Sequence, residues 1–122
     1  MHTVTIRIPA SPAYLQVVRL VAAGLATRVG FTLDEIEDLK IGVDELSAYF
    51  TGTQGRDGSL EIRFAVHDDK LEIAGIGHFA PGQKVRTDLT EFSKMILQTV
   101  ADDASLSQVN GTPTFNLSKS HR

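Results

Sequence analysis

Between Thr32 and Phe50 the apolar residues Ile36, Leu39, Val43, Leu46 and Phe50 recur at steps of three, four, three and four. That spacing puts all five on one side of a helix, which must then lie against a broad apolar layer. Thr32 with Glu35 three residues on is a capping box. Asp34, Glu35, Glu37 and Asp38 crowd the end of the helix where the macrodipole favours negative charge. A loose stretch containing Gly52, Gly55, Asp57 and Gly58 ends it.

The apolar layer has to come from strands, and the rest of the chain offers them in the right rhythm. From His2 to Ile8, Val4, Ile6 and Ile8 alternate with Thr3, Thr5 and Arg7, the period of a half-buried strand. Pro9 stops it. Ser11 before Pro12 starts a first helix that runs to about Arg28 and closes at Gly30. Leu15, Val18, Val21 and Leu25 form its apolar face, widened by Val17 and Leu20.

After the stripe helix, Leu60, Ile62, Phe64 and Val66 alternate with polar residues, and Asp68-Asp69 turns the chain into Leu71, Ile73 and Gly75. No period holds from Gly77 to Arg86, which reads as loop. Thr87 or Asp88 caps a third helix with Leu89, Phe92, Ile96 and Val100 on its buried face. A short strand, Leu106 to Val109, and a closing strand, Thr114 to Ser118, flank Asn110-Gly111, a strong hairpin signal. The order strand, helix, helix, strand, strand, helix, strand, strand predicts an α+β fold. It is a two-layer α/β sandwich, a mixed, mostly antiparallel sheet covered on one face by three helices. No linker or repeat interrupts residues 1–122, so one domain is expected.

Composition narrows the function. The chain has no cysteine, which excludes a disulfide scaffold, a thiolate zinc site and a cysteine nucleophile. Net charge is −3 and the basic residues are scattered, so nothing marks a nucleic-acid surface. The longest apolar run, Val17 to Leu25, is broken by Arg19 and is too short to span a bilayer. Met1 leads straight into an alternating strand and not into a secretory leader, which predicts a cytoplasmic chain without a membrane partner. His67 and His78 lack the spacing of metal ligands, and no Gly-x-Ser-x-Gly occurs.

The element order, the segment Leu39-Lys-Ile-Gly-Val-Asp-Glu-Leu-Ser-Ala-Tyr-Phe50 and the Gly75-Ile-Gly77 run together resemble the RsbW-type serine-protein kinases and anti-sigma factors. These are small members of the histidine-kinase-like (Bergerat) ATPase superfamily. The resemblance implies that fold over 1–122. It also implies a glutamate on the second helix, with an asparagine one turn later that helps to hold Mg²⁺, an ion that takes oxygen ligands. Glu45 stands at the first of these positions, as the relic of a base, and Tyr49 at the second. The family's Asp-x-Gly-x-Gly box falls on Ile73, Gly75 and Gly77. Isoleucine in place of aspartate leaves the adenine amino group without its acceptor, a loss of roughly 1–3 kcal/mol if buried. Of the glycine-rich lid only Gly82 is left between Gly77 and Asp88. No metal site and no cofactor are therefore expected, with Mg·ATP bound only if this degenerate site still works.

The partners implied by the resemblance are a sigma factor and/or a STAS-domain anti-anti-sigma factor, met by a homodimer in partner-switching, stress-responsive control of transcription. Three readings follow. The chain is a catalytically inactive anti-sigma-like binder, an active serine-protein kinase with Glu45 as base, or a pseudo-ATPase that pairs with an intact relative.

Overall fold

The alternation in the opening segment becomes β1, His2–Pro9, which runs antiparallel to β2, Gly58–Val66. Val4 stands opposite Phe64, Ile6 opposite Ile62 and Ile8 opposite Leu60, a register that turns these six side chains to one face. β3, Lys70–Phe79, returns beside β2 through the Asp68-Asp69 turn, closed by the His67 N–H donating to the Lys70 carbonyl. The last hairpin joins β4, Asp103–Val109, to β5, Thr112–Ser120. At its tip Asn110 and Gly111 both have positive φ, 52° and 79°, the backbone that a two-residue type I′ turn requires.

The computed structural model describes all residues from Met1 to Arg122 and orders the sheet β1-β2-β3-β5-β4. All four ladders are antiparallel, where the sequence allowed a mixed sheet. β3 and β4 do run the same way, joined across the third helix, but β5 lies between them and pairs antiparallel with both. β3 also continues through Gly77 to Phe79, further than the alternation alone indicated.

Three helices cover one face. A single 3-10 turn, Pro12–Tyr14, capped by Ser11, leads into α1, Leu15–Val29. Gly30 ends α1 in the left-handed region with its N–H on the Ala26 and Thr27 carbonyls. The buried face of α1 is Leu15, Val18, Ala22 and Ala26; Val21 and Leu25 are half-buried, and Val17 and Leu20 face solvent. Alanine is small enough to bring the helix close to its neighbours, which shifts the contact face away from the larger side chains.

α2, Leu33–Thr51, follows its sequence pattern closely. Both halves of the capping box form, and Leu39, Val43, Leu46 and Phe50 are buried. They meet Leu60, Ile62, Phe64, Leu71, Ile73, Phe115 and Leu117 in one continuous core. α3, Glu91–Val100, departs from expectation: Thr90 caps it, not Thr87 or Asp88. Its buried face is Ser93, Leu97 and Val100, while Phe92 is 70% exposed. Lys119, on the inner face of β5, is buried with Nζ 2.9 Å from the Val100 carbonyl at the end of α3, where a cation complements the helix dipole. No helix is long and apolar enough to cross a membrane.

Candidate functional site

Glu45 and Tyr49 lie one turn apart on α2 and both reach α3. Ser93 Oγ donates to Glu45 Oε2 at 2.6 Å and lies 2.7 Å from the Tyr49 hydroxyl. A serine has one proton to give, so with that proton on Glu45 the Tyr49 hydroxyl is the donor to Ser93. Tyr49 in turn accepts the Thr90 N–H at 3.0 Å, and Thr90 Oγ1 accepts the Ser93 N–H at 3.0 Å. Tyr49 therefore helps cap α3. Burial works to raise the Tyr49 phenol, but hydrogen bonds with Ser93 and Thr90 and the charge of Arg86 outweigh it and hold the phenol below its ordinary value.

Ile73, Gly75 and Gly77 occupy alternate positions of β3, so all three face the helices, and all three are buried. Ile73 packs in the core beside Leu117. Neither glycine has the positive φ that would demand a glycine for the backbone's sake. What each provides is space. A Cβ on Gly75 would fall inside the Phe115 ring, and one on Gly77 would fall inside the Phe79 ring. Phe50 locks both rings, with centroids 5.4 Å from Phe115 and, edge-on, 5.9 Å from Phe79.

The two groups of predicted residues thus share the last turns of α2 but do not converge. The hydrogen bonds of Glu45 and Tyr49 go to the head of α3, whereas Gly75 and Gly77 lie under aromatic rings. Gly77 also borders an open cleft of about 660 Å³ between Pro81-Gly82 and the Gly111–Pro113 turn. Its walls carry no Asp, Glu, Lys or Arg.

Four residues that touch the candidate positions escaped the sequence reading: Thr90 and Ser93, Phe79 and Phe115. The Thr-x-x-Ser spacing was legible as a cap, but Phe92 offered a better apolar period and drew the helix face the wrong way. A further tie is Arg56, whose Nε donates to the Phe50 carbonyl at 2.9 Å and whose other guanidinium nitrogen reaches the Lys84 carbonyl at 3.0 Å. It fastens the segment after β3 to the end of α2.

No family model matches the chain. Among known proteins it is similar to the serine-protein kinase RsbW of Bacillus pumilus (strain SAFR-032), 41% identical over 75 residues. Those residues are 57% of this chain and 46% of the relative, so the match spans about half of the relative's length. The RsbW of Bacillus subtilis (strain 168) is 40% identical over 73 residues, with the same coverage. The RsbW of Bacillus licheniformis aligns more widely, 28% identical over 131 residues, covering 91% of this chain and 81% of that protein. In fold, a crystal structure of the RsbU and RsbW domains of a Mycobacterium tuberculosis protein superposes on the whole of this chain and 34% of that one. Its TM-score is 0.64 at 15% identity. In sequence the chain is similar to RsbW serine-protein kinases, and in fold to a chain that holds RsbU and RsbW domains.

Proposed function

We propose that this chain regulates by binding protein partners, a sigma factor and/or a STAS-domain anti-anti-sigma factor, and does not transfer phosphate. On this reading residues 1–122 form one histidine-kinase-like ATPase domain that works in transcription control as a cytoplasmic homodimer, its nucleotide site a relic. The observation that carries it is the pair of rings over Gly75 and Gly77. In the family pattern those glycines clear room for a nucleotide; here Phe115, fully buried, and Phe79 take that room.

The remaining residues point the same way. Ile73 offers adenine no acceptor. Tyr49, at the position of the magnesium-binding asparagine, spends its hydroxyl on Ser93 and Thr90, and a neutral phenol is a poor ligand for a hard cation. The residues present do not fit Mg·ATP. The test is calorimetric titration with Mg·ATP and Mg·ADP, with thermal stabilisation as a cross-check and co-elution with sigma factors and STAS-domain proteins alongside. The expected result is no heat and no stabilisation at millimolar nucleotide together with stable co-elution. Micromolar nucleotide binding would sink the relic-site reading.

One observation favours a working serine-protein kinase instead: the relatives sharing about 40% identity carry that name. That reading needs Glu45 as base. Its carboxylate already accepts the Ser93 proton, so a substrate hydroxyl would have to displace Ser93. Phosphotransfer to a STAS-domain substrate that Glu45→Ala abolishes would establish it.

A further inference from the structure

β1 lies at one edge of the sheet, and the phase of the ladders fixes which of its backbone groups face outward. The Ala10 N–H donates to the Gly58 carbonyl just past the β1–β2 ladder and in its register. In an antiparallel pair, residues that exchange hydrogen bonds alternate with residues that do not. Ile8, Ile6 and Val4 therefore spend their N–H and C=O groups on Leu60, Ile62 and Phe64 of β2. The next ladder agrees. The Ala80 N–H donates to Asp57 and the His67 N–H to Lys70, so the odd-numbered residues of β2 bond β3 and leave the even ones to β1. What remains on the free edge is the N–H and C=O of Thr3, Thr5 and Arg7.

An open row of backbone donors and acceptors is a template for one more strand. The opposite edge, β4, is already flanked, because residues 87–91 stand beside Ala104, Ser105 and Leu106 across an open hollow. β1 has neither a lysine nor a bulge to blunt it. On its helix side Val4 is 36% exposed and Ile6 half-buried, so the apolar layer reaches this edge without a cover.

The row is complementary to itself. Set antiparallel about a two-fold axis at Thr5, a second β1 places Thr5 against Thr5 and Thr3 against Arg7. Every outward N–H then meets an outward C=O. Val4 stands beside Ile6 of the second copy on the helix side, which extends the apolar layer, and no like charges oppose. Other registers do worse. An axis at Val4 sets Arg7 against Met1, outside the strand. An axis at Ile6 sets Thr3 against Pro9, which has no N–H and whose carbonyl already accepts from Ser11. An axis at Arg7 sets arginine against arginine.

We propose that two copies of this chain join β1 to β1, antiparallel about Thr5, in one continuous sheet. The inference rests on the homodimer reading above and adds to it the surface and the register.

Sedimentation of the parent over a range of concentrations should show a reversible dimer. In it the Thr3, Thr5 and Arg7 amides should exchange at least roughly tenfold more slowly than in the diluted monomer. Thr5→Pro removes an N–H that no bond inside the chain uses, a change an edge strand tolerates, and should weaken the dimer roughly tenfold or more. Thr5→Lys sets lysine against lysine and should weaken it about fivefold. Mixed with Thr5→Glu, it should form a one-to-one dimer tighter than either variant forms alone. That rescue needs residue 5 to face its own copy, so a variant that merely folds poorly does not produce it. Free exchange of the three amides in the dimer, a dimer unchanged by Thr5→Pro, or a mixture without rescue would overturn the pairing and leave the homodimer reading standing. A parent that stays monomeric at millimolar concentration would defeat both.

Discussion

The two groups of residues picked out by the RsbW resemblance are each closed over by other parts of this chain, and by opposite means. At Gly75 and Gly77 the closure is apolar: two rings lie on glycines whose missing side chains make the space, and Phe50 wedges them. At Glu45 and Tyr49 it is polar: the two side chains are tied to Ser93 and Thr90 at the head of α3. The first closure runs from the deep core at Phe115, where packing is dense and a volume error has nowhere to go, to the cleft edge at half-buried Phe79. The second lies at a half-exposed seam, where water can replace a lost hydrogen bond. The contrast teaches that the same glycines can serve packing as well as binding, because a missing side chain makes space for whatever lies opposite it.

That contrast breaks most easily at Gly75. Gly75→Ala would drive a methyl into the ring of Phe115, which is fully buried, and should destabilise the fold by about 3 kcal/mol, the upper end for overpacking. Gly77→Ala meets Phe79, which is only half-buried and borders the open cleft. Its ring can swing aside, so about 1 kcal/mol is expected. Denaturant unfolding of the two variants side by side checks the order. Equal and small losses would mean that the rings do not need the glycines, and the apolar closure would fail as an account.

The same contrast explains what the sequence could disclose. The β1 and β2 alternations, the α2 stripe with its capping box and the Asn110-Gly111 turn were legible because each is a local pattern with one physical reading. The face of α3 was not. Phe92, Ile96 and Val100 make a better apolar period than Ser93, Leu97 and Val100, and only Glu45 and Tyr49, more than forty residues away, make the serine worth burying. Glu45, Tyr49, Ile73, Gly75 and Gly77 could be located by resemblance. That the first pair faces α3 while the glycines lie beneath Phe115 and Phe79 depends on contacts between distant segments, which no local spacing encodes. α1 misled in a third way: Leu15 and Val18 are buried as expected, but in its second half Ala22 and Ala26, and not Val21 and Leu25, lie deepest.

The polar closure should yield less. Ser93→Ala removes the group that Glu45 and Tyr49 share, but both lie where water has partial access, so a loss of about 1 kcal/mol is expected. Thermal unfolding measures it. A sharper sign is local: without Ser93 the first turns of α3 are held only by the Thr90–Tyr49 bond, so amide exchange should quicken on Glu91–Val100 and stay unchanged on β3. Equal quickening on β3 would join the two closures into one unit and erase the distinction drawn between them.

The smallest effect is expected furthest from either closure, at the opposite end of α2, and it calibrates the others. Glu35 accepts the Thr32 N–H of the capping box, and it also accepts His121 Nδ1 and the Arg122 N–H, tying the last residues to the start of the helix. The Thr32 N–H foremost, then His121 and Arg122, lower its pKa from 4.5 to about 2. A carboxyl whose folded pKa lies below its unfolded one adds stability that is complete above pH 4.5 and drains away as pH falls toward about 2. Glu35→Gln cannot ionise, so the gap in unfolding midpoint between parent and variant should be widest near neutrality and close as acid is added. The group is half-buried at the surface, so salt should shrink the gap in part. A gap that stays constant from neutral pH into acid would mean that Glu35 acts through the shape of its cap alone, and that charge does nothing to hold the tail on α2.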